Sequence, residues 1–265
     1  GESSLIPSLF LILSTFIYLC MWYGLKNGNL FSLYHFRLGV CAAIIPQWIA
    51  LSYEIHSGVL FNLSLMPSIL FAATATTTLM FLGTWRYPLQ PLGLVVFPLD
   101  VLSNLIQFFD PNSNVEYLTE PRIASHVLLS MTAIGILLVV CAQAWLLRRQ
   151  DRALKTRHLH STVENWPSLQ TMEKILFESL LIGTLILTLA VVSGFWFLSD
   201  MLEQHVAHKV VFTLITWIVL MVLIWGRRRY GWRGPRVINA ILIGVGFLVV
   251  GFFGSKVVLE LILHR

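Results

Sequence analysis

Charged side chains are scarce in this sequence. They make up 12% of its 265 residues, about half the share found in soluble globular domains. So little charge does not cover a water-facing surface, which excludes a soluble enzyme and a disordered chain alike. Cysteine is equally sparse. The three present, Cys20, Cys41 and Cys141, all fall in apolar runs with no CxxC pair. That excludes a disulfide scaffold, a thiolate metal site and a c-type haem attachment motif. Also absent are HExxH, a P-loop, a glycine-rich dinucleotide turn after a strand and a GxSxG elbow. The carboxylates are too scattered to propose a paired acid and base, so no catalytic residues are expected and the chain is not read as an enzyme. The opening GESS lacks the basic flank and cleavage site of a signal peptide, so the first apolar run is expected to be a retained span.

What the chain has in abundance is hydrophobicity, 57% of residues with a mean hydropathy of +0.77. A helix needs about 20 apolar residues to cross a bilayer. That length divides the sequence into eight runs, at 5–24, 38–58, 62–83, 87–109, 123–147, 175–198, 210–225 and 237–263. The expected fold is all-α, a polytopic membrane helix bundle of about eight transmembrane helices forming one integral membrane domain over 1–265. Short loops are expected between most spans, with polar segments at 110–122 and 148–174, and the least distinct boundary at 58–62. Trp22, Tyr23, Trp85, Tyr87, Trp145, Trp196, Trp225 and Trp232 mark the run ends as an interfacial belt would.

The net charge of +5 and pI near 9.3 follow from topology rather than from nucleic-acid binding. Counting connections from an outer amino terminus, 14 of the 18 basic residues fall on one side, in the segments holding Lys26 and Arg37, Arg86, Arg148–Lys174 and Arg227–Arg236. Only Arg122, Lys209, Lys256 and Arg265 fall on the other. Basic connections stay inside, so both termini are expected outside. Five of the eight histidines (His56, His126, His205, His208 and His264) then sit at or near the outer face. Interfacial histidines are often merely polar, yet together these could ligate a haem iron or another metal.

A charge in the bilayer core costs at least ~2.5–3.5 kcal/mol and is a functional candidate by default. Asp100, more than half-way along the fourth run, is the clearest case, with Asn104 and Gln107 on the same helical face. These three form either a satisfied interhelical cluster or a ligand- or proton-linked site, and a small secondary transporter built on Asp100 is one reading. Glu54 stands near the outer end of the second run. Glu178 lies one turn inside the sixth and is expected to snorkel. Gly244, Gly251 and Gly254 share one face of the last run, as close helix packing requires.

Four stretches carry a family resemblance. They are ASHVLLSMTAIGILL around His126, the segment PSLQTMEKILFESLLIGTLILTLAVVSGFWF at 167–197, KVVFTLITW at 209–217, and GWRGPR at 231–236 followed by Phe253 and Gly254. In these the chain resembles the cytochrome c assembly protein family, membrane proteins that handle haem for c-type cytochrome maturation, and within it the short YpjD-type branch of bacterial inner membrane proteins. The resembling region covers about 60–265. It implies haem as cofactor, bound at the outer face of the inner membrane, with haem, the lipid bilayer and another membrane protein of haem or cytochrome c maturation as partners. His126 falls where the family has its first external haem-ligand histidine, and His264 lies close to the place of the second. The family's tryptophan-rich external loop is replaced by SDMLEQHVAHK, which brings His205 and His208 as substitute ligands, and its intramembrane histidine before GWRG is missing, near Trp225. The resemblance with these departures implies haem binding or delivery rather than thioether formation. The competing reading is an accessory or regulatory subunit that binds no haem, like the HemX-like regulators of haem synthesis.

Overall fold

The computed structural model describes residues 2–29, 31–55, 61–62, 65–109, 117–118, 121–156, 167–196 and 207–257. Within them, only the backbone is described at 2–4, 54–55, 61–62, 65–68, 117–118, 121, 156, 207–209 and 252–257. Eight α-helices appear among these residues: α1 (Glu2–Lys26), α2 (Leu33–Ile55), α3 (Leu65–Gly83), α4 (Gly93–Phe109), α5 (Pro121–Thr156), α6 (Leu169–Phe195), α7 (Ala207–Tyr230) and α8 (Pro235–Val257). Six contain a stretch long and apolar enough to cross a membrane, and the apolar parts of α3 and α8, Ile69–Gly83 and Pro235–Gly251, are shorter. The protein is a polytopic helical membrane protein.

Packing sorts the helices into two groups of four. In the first, α1 lies against α2 and α4, and α3 against the same two; in the second, α5 packs on α6 and α8, and α7 on the same two. The groups join mainly where α3 meets α5. Gly135 makes that approach possible, since a Cβ there would lie 2.5 Å from Thr76 Oγ1 and 3.0 Å from the Ala72 carbonyl oxygen. Tyr18, Phe36 and Phe97 fill the centre of the first group, with ring centroids 5.4 Å (Tyr18–Phe97) and 5.9 Å (Phe36–Phe97) apart. In the second group Gly183 admits Leu137, and α8 approaches α7 at Gly244 and Gly251, where added Cβ atoms would meet Val219 and Phe212. Thr216 of α7 adds a hydrogen bond to the Gly244 carbonyl at 2.8 Å.

Element boundaries depart from the sequence expectation in several places, α2 and α6 starting early at Leu33 and Leu169, and four further departures have a physical reason. The fourth run starts with a turn and a 3₁₀ segment, Gln90–Leu92, before α4 begins at Gly93, because Pro88 and Pro91 lack the backbone N–H that a continuous α-helix would use. Helix α3 begins at Leu65 rather than at 62, since Phe61 and Asn62 pair antiparallel with Leu118 and Tyr117 in a two-residue ladder. This small strand pair, β1 and β2, is the one departure from an all-helical fold among the described residues. The basic segment after residue 147 is helical through Thr156, so α5 has 36 residues. Likewise Arg227, Arg228 and Arg229 form the last turn of α7, where cations favour the negative end of the helix dipole.

Side-chain bonds gather the basic helix ends on one side. Arg37 donates to the Thr84 hydroxyl and carbonyl at 3.0 and 2.6 Å. Arg148 donates to Asn239 Oδ1 at 2.9 Å, and Arg227 pairs with Glu173 at 2.8 Å. Glu178 does not snorkel into solvent: it accepts a 2.6 Å hydrogen bond from the Tyr87 hydroxyl.

Candidate functional site

His126 lies at the end of the bundle opposite those basic ends. Adjacent antiparallel helices bring the second turn of α5 beside the last turn of α6. There the His126 Nδ1 and the Ser193 hydroxyl are 2.9 Å apart. Ser193 donates to the Ala190 carbonyl at 2.9 Å, so hydroxyl and ring share one helix turn as an anchor. Gly194 leaves room for the ring, because a Cβ there would stand 3.0 Å from His126 Cε1. Ser193 also lines a cavity of about 390 Å³, together with Arg122, Ser125 and Trp196. Arg122 stands on the first turn of α5, where the helix dipole adds positive charge, and it has no acidic partner among the described residues. Trp196, which ends α6, is 79% exposed. Together these residues offer an oriented imidazole, a cation and an aromatic plane.

His126 was legible as a candidate from the sequence. Arg122, Ser193, Gly194 and Trp196 were not, because two segments 67 residues apart must meet before they form a site. The other candidates stand differently. His56, His205 and His264 lie outside the described residues. His208 falls on the first turn of α7 and Glu54 on the last turn of α2, both with backbone alone described. Among the described residues no three His, Cys, Asp or Glu side chains gather around a metal-sized space.

Asp100 belongs to a separate cluster, in the first helix group. Its Oδ1 accepts from Gln47 Nε2 at 3.2 Å and its Oδ2 from the Thr77 hydroxyl at 2.5 Å. Gln47 also donates to Asn104 Oδ1 at 3.0 Å and accepts from the Tyr18 hydroxyl at 2.8 Å. Asn104 in turn donates to Thr15 at 3.1 Å. The carboxylate therefore ties together four helices through amide and hydroxyl donors. Gln107, on the same face, is buried with its Oε1 unpartnered. The sequence showed the α4 face; Gln47, Tyr18 and Thr77 come from α2, α1 and α3 and carried no signal of their own.

The motif residues at 167–197 and 231–236 meet at the basic end. Glu173 pairs with Arg227 and, at 3.3 Å, with Arg233. Trp232 packs directly against Gly226, and its carbonyl accepts from Arg227 at 3.1 Å. Gly231 and Gly234 take φ of +64° and +84°, the left-handed region that glycine reaches without steric cost. The GWRG run thus makes the turn between α7 and α8 and takes no part in the site at His126.

A family model described as Cytochrome C assembly protein matches residues 31–263, extending the likeness well into the first helix group. Inner membrane protein YpjD of Escherichia coli strain K12 is 31% identical over 155 residues, covering 58% of this chain and 59% of that protein. The same protein from the O6:H1 and O157:H7 strains matches to the same extent. The match thus spans less than two thirds of these relatives' length. No solved structure matches significantly. With nearly its whole length covered by that model, and a polytopic bundle of apolar helices, the chain belongs to the cytochrome c assembly protein family.

Proposed function

We propose that this protein binds haem at the end of the bundle opposite its basic face, with His126 as an axial ligand, and holds or delivers it rather than attaching it to a cytochrome. The observation that carries the reading is the His126 imidazole anchored on Ser193, a residue that itself lines a cavity with Arg122, Ser125 and Trp196. Histidines that ligate metals generally have the second ring nitrogen hydrogen-bonded to a protein group, which fixes the ring's orientation. Here Nδ1 has Ser193 beside it, which makes Nε2 the ligating atom. Arg122 suits the carboxylates that haem carries, and Trp196 gives its ring an apolar face. Bound haem would supply a redox-active iron, while the protein's own part is to bind and orient. The candidates for the second ligand are His264, first by its place relative to the family, then His208, which the same outer surface could present, and then His205 and His56. The name of the YpjD relatives supports placing the protein as a multi-pass protein of a bacterial inner membrane, its partners being haem, lipid and a further maturation protein.

The test is an absorption titration of the purified protein with haem. A bis-histidine spectrum should appear, should be lost in His126→Ala, and should be partly restored by imidazole. Identical titrations of parent and variant would leave the accessory-subunit reading in its place.

A further inference from the structure

The junction between the two helix groups is open on one side. Helix α3 packs along both α4 and α5, but α4 and α5 barely touch each other. The resulting cleft has a volume of about 250 Å³. Its rim includes Leu99 and Leu102, 37% and 54% exposed, on a surface that faces lipid in a membrane-spanning bundle. Its walls are hydrocarbon, apart from four oxygen-bearing side chains: Thr76, Thr77, Asp100 and Ser103.

The donors among these four are already used. Thr76 donates to the Ala72 carbonyl and Ser103 to the Asp100 carbonyl, at 2.7 and 2.8 Å. Thr77 donates to the Asp100 carboxylate. What remains is lone pairs, whether the short Asp100–Thr77 bond carries its proton on the carboxyl or on the hydroxyl, so a ligand that satisfies them must bring a donor of its own. A ketone or an oxidised quinone, which only accepts hydrogen bonds, does not. Size narrows the class further. A cavity of roughly 150 Å³ holds benzene, so this cleft takes one substituted ring and excludes a tetrapyrrole. Access through the lipid-facing rim selects a molecule already dissolved in the bilayer.

We propose that the cleft between α4 and α5 binds a lipid-soluble hydroxylated aromatic ring, a phenol or hydroquinone, with its hydroxyl on the Asp100 carboxylate and its alkyl tail leaving past Leu102. This site shares no residue with the His126 site and does not depend on haem binding.

The test uses the full-length protein in detergent and four probes sharing a decyl tail: decylphenol, decylhydroquinone, the corresponding quinone and decylbenzene, measured by titration calorimetry. The phenol and hydroquinone should bind at least tenfold more tightly than the quinone and decylbenzene. Equal binding of the two hydroxylated probes identifies the phenol hydroxyl as sufficient; tighter binding of the hydroquinone identifies a dihydroxy ligand, and both support the site. Ala73→Phe, which fills the cleft, should remove binding, and Leu102→Trp at the exposed rim should weaken it tenfold without touching the interior. Asp100→Asn, which keeps the size but introduces a donor, should shrink the preference for phenol over quinone. Decylbenzene binding as well as the phenol, a preference for the quinone, no binding of any probe, or full binding in both Ala73→Phe and Leu102→Trp would each overturn the proposal.

Discussion

The imidazole of His126 rests on the backbone of Gly194, close enough that a methyl group at 194 would reach Cε1 at 3.0 Å. Glycine is therefore the residue that lets α5 and α6 hold the ring between them, with Ser193 at Nδ1 fixing its rotation.

Gly194→Ala should consequently weaken haem binding while leaving the bundle intact. Overpacking a tight contact costs about 1–3 kcal/mol, and the flexible partner here is the ring itself, which must move by a few tenths of an ångström. The expected loss is roughly tenfold in affinity or more, read from the same absorption titration, with unchanged helicity by circular dichroism. An unaltered affinity would mean that the ring does not sit against Gly194 when haem is bound.

Arg122 offers a sharper discrimination. If it receives a haem carboxylate, Arg122→Ala should weaken haem by about 1.5–3 kcal/mol, the worth of a hydrogen bond to a charged group. The dimethyl ester of haem, which lacks the carboxylate charge, should bind parent and variant alike. Parallel titrations with the two ligands check this. Equal losses for haem and its ester would assign Arg122 a structural role in the first turn of α5.

Much of this was readable in the sequence, and the exceptions have a common cause. Apolar run length located all eight helices, because a bilayer imposes that length on any segment that spans it. It did not locate the ends of α5 and α7. Arg148–Thr156 and Arg227–Tyr230 are polar but are made largely of good helix formers, so the helix outlasts the hydrophobic stretch. Pro88 and Pro91 did the reverse, keeping apolar residues out of α4. At the site, His126 stood out as a histidine at the edge of an apolar run. Its anchor did not, because Ser193 and Gly194 are ordinary small residues until α6 lies antiparallel to α5. Asp100 was visible as a misplaced charge, while Gln47, the residue that joins it to Asn104 and Tyr18, looked like any polar residue beside Pro46.

The Asp100 cluster makes its own prediction about stability. In Asp100→Leu one amide donor of Gln47 is stranded where no water can satisfy it, at roughly 1–3 kcal/mol, while the Thr77 hydroxyl can turn to a carbonyl of its own helix, as those of Thr74, Thr76 and Thr78 do. In Asp100→Asn the amide oxygen still accepts from Gln47, and the Thr77 hydroxyl can turn to accept from the new amide. Thermal or denaturant unfolding in detergent should therefore rank the parent and Asn variants close together and the Leu variant well below both. If Leu is tolerated as well as Asn, the cluster contributes no net stability to the first helix group.

Orientation is the remaining question that the helix ends can decide. Arg37, Arg148, Arg227 and Arg233 all belong to the same end of the bundle, each tied there by a contact to another helix terminus. A positively charged end made from several separate connections is retained on the cytoplasmic side, and the three described cations at the other end, Arg122, Lys209 and Lys256, do not balance it. Reporter fusions near Ala153 and at Gly231 should thus read inside, and a fusion near Asn114 outside. Neutralising Arg148, Arg149 and Arg152 together should disturb insertion or expression, yet leave the haem titration of correctly inserted protein unchanged, because these residues and His126 occupy opposite ends of α5. Loss of haem binding with normal orientation would contradict the assignment of the site to the outer end. Concordant inside readings at Asn114 and Gly231 would overturn the topology itself, since the end of α4 at Phe109 and the turn at Gly231 lie at opposite ends of the bundle.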